Sequence, residues 1–262
     1  MSNDLILTRR EGDGDIVTVV LSRPHKLNAL TRPMWRQLGE TVRTLSADDS
    51  IRCIVIRGAG EKAFSPGNDI SEFENERSTS AQAKDYATTH LPALAALHNC
   101  RHPLVALIHG ICVGGGLEIA ALCDLRICGS SSRFGIPINR LGLVAGHEEL
   151  KGLLALVGPA VTRELLLEGQ VIGADDALRK GIVSRVVADD QVETEAYATA
   201  RRIADGAPLT ARWHKKFLRR LESPAPLTEA ETDEAYACYD TADFRAGYRA
   251  FLAKQKPKFA GN

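Results

Sequence analysis

Two stretches of this chain combine glycine backbone with groups that could do chemistry. The first, Val113-Gly114-Gly115-Gly116-Leu117-Glu118, runs three consecutive glycines into a carboxylate, between an apolar strand-like segment and an apolar helix-like one. Glycine there lets the backbone approach a ligand and expose N–H groups at a helix N-terminus, and Glu118 in the first turn is a candidate acid or base. A phosphate loop is excluded because no Gly-Lys-Ser/Thr follows, and the dinucleotide fingerprint because its glycines are not consecutive. The second stretch, Ala63-Phe64-Ser65-Pro66-Gly67-Asn68-Asp69-Ile70, is a turn able to present another backbone N–H. Two such donors converging on one carbonyl oxygen would stabilise charge developing on it, each by roughly 3 kcal/mol of barrier. Taken singly, each feature has a plainer use. The glycines allow tight strand–helix packing, Glu118 complements a helix dipole, and Asn68-Asp69 makes an ordinary turn.

Further polar groups lie in Leu143-Val144-Ala145-Gly146-His147-Glu148-Glu149, where His147 or Glu148 could join the chemistry, or simply form a solvated first helical turn. His90, His98, His102 and His109 have no spacing that compels a metal, and they read as structural or solvated. The six cysteines are scattered without close pairs, which suits buried, reduced thiols rather than zinc. Cys123, without a basic neighbour, reads as core.

The elements that must position these groups follow from hydrophobic pattern. Ile16 to Leu21 and Ile51 to Arg57 are β-branched runs that end at breakers, which predicts buried strands. Between them Thr31 precedes Arg32-Pro33 as a helix N-cap, and Trp35, Leu38, Val42 and Leu45 recur at helical spacing. Leu104 to Ile108, Leu125 to Cys128 and Ile182 to Val187 predict further strands, and Leu117 to Leu122 a helix. Alternating strands and helices make an α/β core. From about Val192 the pattern is helical, with prolines at 208, 224 and 226 as punctuation.

In this order, Asn28-Ala29-Leu30, Phe64 to Asp69, His109-Gly110 through Glu118, Cys123-Asp124 and Phe251-Leu252-Ala253-Lys254 resemble the successive motifs of the enoyl-CoA hydratase/isomerase (crotonase) superfamily. The resemblance implies an α/β spiral of repeated β-β-α units, ClpP-like, over residues 1–194, with a helical C-terminal oligomerisation region over 195–262. It implies an oxyanion hole made by the backbone N–H groups of Asn68 and Gly115, with Glu118 as catalytic carboxylate. Asn68 and Pro66 stand where alanines are common, so the Asn68 amide is expected to reach toward the acyl group. The second hydratase glutamate follows a Phe-Gly-x-Pro pattern, and here Phe134-Gly135-Ile136-Pro137 leads to Ile138, which cannot transfer a proton. Losing one member of an acid–base pair removes roughly 10²–10⁴ in rate. The nominal enoyl-CoA hydratase (lyase) activity therefore has two rivals in the family, enoyl-CoA isomerisation and acyl-CoA decarboxylation, and a third outside catalysis, a protein that binds acyl-CoA without turnover.

For the substrate the resemblance implies contacts from Lys26, Leu27, Pro66, Gly67, Asp69, Ile70, Gly114, Ile138, Leu141, Ala145 and Gly146, and from Phe251 and Lys254 of the tail, often toward a neighbouring subunit. Coenzyme A enters as part of an acyl-CoA or enoyl-CoA substrate, with no permanently bound cofactor and no metal. A homotrimer or a dimer of trimers (a hexamer) is the expected assembly. Lys and Arg number 33 and Asp and Glu 33, so no net field recruits nucleic acid or an anionic membrane. No stretch stays apolar long enough to span a bilayer, and a cytoplasmic protein is expected.

Overall fold

The computed structural model describes residues 5–262. The chain opens with β1 (Ile6–Glu11), β2 (Ile16–Leu21) and α1 (Arg32–Ala47), the helix capped by the Thr31 hydroxyl accepting from the Met34 N–H. It then repeats one pattern: two strands, then helix. β3 (Cys53–Gly58) and β4 (Ala63–Ser65) lead to α2 (Phe73–Glu76) and α3 (Ser80–Asn99). β5 (Leu104–Ile108) and β6 (Ile111–Val113) lead to α4 (Gly115–Ala121), and β7 (Leu125–Gly129) and β8 (Arg133–Gly135) to α5 (His147–Glu168). β9 (Ile172–Gly173), α6 (Ala174–Arg179) and β10 (Arg185–Val187) close the spiral. Four helices follow: α7 (Val192–Ala204), α8 (Pro208–Arg220), α9 (Glu229–Glu234) and α10 (Ala242–Leu252).

In the three turns from β3 to α5 the first strand joins one sheet and the second another. The larger sheet has six strands in the order β1-β2-β3-β5-β7-β10, and the smaller has four in the order β4-β6-β8-β9. Apart from the β1–β2 and β8–β9 pairs, neighbours are parallel, as crossover connections require. Strand alternation explains why the central strands are apolar throughout. In β3, Ile54 and Ile56 join a core with α1 and α3, whereas Cys53 and Val55 face α7 through Val192, Ala196, Ala200 and Ala204. A boundary between 194 and 195 therefore falls inside α7, a helix that covers one face of the larger sheet.

Two strand expectations shorten. The run from Ile51 pairs only from Cys53, and the run from Ile182 pairs only from Arg185. Ile182 and Val183 are buried, and the Ile182 N–H is donated to the Ala177 carbonyl, closing the end of α6 instead of extending the sheet. All six cysteines are free thiols, five of them buried. Cys123 sits in the core, where burial pushes its thiol up to about 12.

Candidate active site

The turn after β4 is held from below. Asn28, at φ 63°, donates its side-chain amide to the carbonyls of Ala59 (3.1 Å) and Ala63 (2.8 Å) and accepts from the Arg23 N–H (3.0 Å). Arg23 in turn donates to Asp69 at 2.7 Å and to the Ala29 carbonyl at 3.0 Å. Burial alone would raise the Asp69 carboxyl, but bonds from Ser71 and Arg23 outweigh it and hold the group at about 2. This network makes a short parallel bridge between Leu30 and Asn68. The bridge uses the Gly67 carbonyl and the Asp69 N–H, at 2.8 and 2.9 Å. The Asn68 N–H takes no part in it.

Across from that turn stands the start of α4. Gly115 is the first residue of the helix, where no helical carbonyl can accept its N–H. The two backbones touch. Gly67, at φ +92°, would place a Cβ 2.5 Å from the Gly115 nitrogen, so only glycine fits. At Gly116 a Cβ would lie 2.1 Å from the Ser65 carbonyl oxygen, which locks helix to turn. Asn68 and Gly115 thus sit side by side on a cavity of about 420 Å³, whose other walls include Glu118, Ile138 and Glu149.

The two carboxyls differ in environment. Glu118 makes no hydrogen bond with its side chain among the described residues; burial first, and the charge of Glu149 second, push it up to about 8, against a smaller opposing pull from Arg77. Glu149 is buried as well, which would raise it, yet it lies below its ordinary value because His90 and the Gly146 N–H bond its carboxylate. His90 Nε2 stands 3.0 Å from Glu149 Oε1, and the Gly146 N–H donates to Oε2. An ionised carboxylate can only accept, so Nε2 carries the proton. His90 is itself buried between Trp35 and Tyr86, with ring centroids 6.0 and 5.8 Å away. At neutral pH the cavity thus holds one protonated and one ionised carboxyl.

Of the residues anticipated from sequence, Glu118, Asn68, Gly115, Gly114, Pro66, Asp69, Ile70, Ile138, Leu141 and Ala145 line this cavity. Others stand elsewhere. His147 is exposed outside it, and Glu148 is exposed and bonded to Lys151 at 2.8 Å. At a helix start, side chains two residues apart point in different directions, which turns Glu149 inward and its two predecessors out. Gly67 is buried and not part of the lining, Lys26 and Leu27 are exposed and not part of it either, and Gly146 caps α5. Phe251 and Lys254, at the end of the chain, are exposed. The Asn68 side chain does not swing free, since its Oδ1 accepts from Trp35 Nε1 at 2.7 Å. His90, read as structural or solvated, is buried and bonded to a cavity carboxylate.

Sequence reasoning missed Glu149, His90, Phe73 and Arg77. A Ser or Thr at the cap of α5 would have marked Glu149 as the third helical residue of a capping box, but that position is Gly146. No group of three or more His, Cys, Asp or Glu side chains that could hold a metal occurs among the described residues.

A two-sheet β-β-α spiral, with a glycine-lined cavity at the start of an inner helix, defines a crotonase-fold protein. Residues 11–262 match the family Enoyl-CoA hydratase/isomerase, and the chain belongs to that family and is one of its acyl-CoA-transforming enzymes. It is 31% identical to the short-chain-enoyl-CoA hydratase of Clostridium acetobutylicum over 97% of this chain and 96% of that one. To a probable enoyl-CoA hydratase of Rhizobium meliloti it is 33% identical over 99% of both. The crystal structure of an enoyl-CoA hydratase/carnithine racemase from Magnetospirillum magneticum superimposes with a TM-score of 0.97 at 49% identity, covering 100% of this chain and 97% of that one.

Proposed function

We propose that the protein hydrates 2-enoyl-CoA thioesters, with the N–H groups of Asn68 and Gly115 holding the thioester oxygen and Glu118 and Glu149 handling the protons. The observation that carries this reading is Glu149. Ile138 removes the carboxylate that hydratases of the family place after Phe-Gly-x-Pro, and Glu149 offers a second one in the same cavity from a different element. The environments of the two groups divide their roles, because an acid must start protonated and a base ionised. Glu149 takes a proton from water as its oxygen bonds to C3. The electron pair of the double bond moves through C2 onto the thioester oxygen, where the two amides stabilise it. Glu118 then gives its proton to C2, and exchange with solvent restores both groups. The hydratase names of the Clostridium acetobutylicum and Rhizobium meliloti relatives support the same reaction.

Ile138 favours a second reading, in which Glu118 alone moves a proton between C2 and C4 of an enoyl-CoA. Supplying purified protein with crotonyl-CoA, a 3-enoyl-CoA and methylmalonyl-CoA separates the possibilities. Water addition to crotonyl-CoA, lost in both Glu118→Gln and Glu149→Gln, supports hydration. A double-bond shift that survives Glu149→Gln selects the isomerase, carbon dioxide release the decarboxylase, and binding without turnover a carrier of acyl-CoA.

Coenzyme A would enter past Lys26, Leu27 and Pro66, its cationic and apolar edge matching the nucleotide and pantetheine. The tail also suits assembly of a trimer or a dimer of trimers. Tyr248, Phe251 and Leu252 of α10 are 42, 82 and 75% exposed, an apolar strip of the kind subunits cover. Light scattering that gives a monomer would remove this part of the reading. No described helix is long and apolar enough to cross a membrane.

A further inference from the structure

Arg77 lies on the cavity wall beside Glu118 and Glu149, just after α2. Its guanidinium stacks over the rings of Phe73 and Tyr86, 4.7 and 4.9 Å from their centroids. Its Nη1 is buried without a hydrogen-bond partner. Glu149 is bonded to His90 at 3.0 Å and Glu72 to Tyr86 at 3.2 Å, while Glu76 stands 3.5 Å from Arg32 with its Oε2 lacking a hydrogen-bond partner. No carboxylate among the described residues comes within ion-pairing distance, 4.0 Å, of Arg77. A buried donor of a cation left unmatched is costly, and two aromatic faces fix this one in place rather than let it turn to solvent.

The geometry points to Arg77 as a specificity-determining residue that receives a carboxylate at the far end of the acyl group, so that the preferred substrates are thioesters of dicarboxylic acids. The proposal rests on the reading of this cavity as the acyl site. A planar guanidinium with free N–H groups matches a carboxylate in two parallel hydrogen bonds. A role as mere counter-ion to the catalytic pair fits less well, since Arg77 bonds neither member. Both remain within reach of its field, because its charge opposes the upward displacement of Glu118 and assists the lowering of Glu149.

Calorimetric titration with saturated thioesters, which cannot be hydrated, tests this independently of turnover. Succinyl-, glutaryl- and adipyl-CoA are each compared with the uncharged partner lacking the terminal carboxylate: propionyl-, butyryl- and valeryl-CoA. At least one dicarboxylic member should bind tenfold to a hundredfold more tightly than its partner, on the order expected of a charged hydrogen-bonded pair. Arg77→Met should abolish that preference and Arg77→Lys retain part of it, with circular dichroism confirming the fold of both. Equal or weaker binding of every dicarboxylic member, or a preference that survives Arg77→Met, overturns the assignment. If none of the six thioesters binds, the acyl-site reading fails and takes this one with it. Uncharged thioesters binding well while the preference is missing would spare that reading.

Discussion

Replacing Glu118 by glutamine should change how stability depends on pH. Its carboxyl titrates at about 8 in the folded protein against an ordinary value of 4.5. Between those values the folded state keeps a proton that the unfolded chain has lost, so stability falls as pH rises across the window. At ~1.4 kcal/mol per pH unit the full cost of ionising the group at pH 9 is about 5 kcal/mol, and water entering the open cavity reduces it to roughly 2–4 kcal/mol. Glutamine keeps the shape and cannot ionise. Urea unfolding from pH 5 to 9 should therefore show the wild type losing stability relative to Glu118→Gln, with the two curves closest near pH 5. Parallel curves over that range would mean that Glu118 is not held neutral, and the acid role assigned to it would go.

Other outcomes follow from the same geometry. Glu149→Gln should lower kcat for crotonyl-CoA hydration by roughly 10²–10⁴ with little change in KM, as steady-state kinetics would show. In His90→Asn the carboxylate loses the donor that depresses it, so the acid limb of the kcat/KM profile should move to higher pH; an unmoved limb would detach His90 from Glu149. Gly67→Ala meets both a positive φ and the Gly115 nitrogen at 2.5 Å, and should cost roughly 1–3 kcal/mol of stability in a denaturant titration, and more in turnover than in fold. Asp69→Ala breaks a pair whose side chains are only 15 and 10% exposed, at a cost of roughly 3 kcal/mol. Because Asp69 is lowered to about 2 from 3.8, its contribution is complete above about pH 4 and fades as pH falls through 2. The wild-type and alanine curves should converge there.

The central strands of the larger sheet were legible because they are buried on both faces and appear in sequence as unbroken apolar runs, Ile16 to Leu21 and Leu104 to Ile108 among them, whereas the edge strand β1, exposed over most of its length, was not anticipated. The smaller sheet was not, since β6, β8 and β9 are two or three residues long and carry no readable period. Glu118 could be named because the glycines before it fix its place in α4. Glu149 could not: three polar residues in a row open α5, and which of them turns inward depends on how that helix meets α3 at His90. Arg77 escaped for a related reason. It follows a helix of four residues, and its importance comes from Tyr86 of α3 joining the Phe73 ring of that helix beside it. Local pattern reveals elements, whereas the choice among adjacent polar side chains is made by packing between elements distant in the chain.

The claim on which the chemistry depends is that two main-chain amides, from Asn68 and Gly115, grip one thioester oxygen. Isotope-edited infrared spectroscopy of crotonyl-CoA labelled at the thioester carbonyl, bound to Glu149→Gln so that it is consumed far more slowly, tests it directly. The carbonyl stretch should move to lower frequency than in free crotonyl-CoA, as two strong hydrogen bonds weaken the bond. A bound carbonyl that vibrates at the frequency of the free thioester would contradict the account.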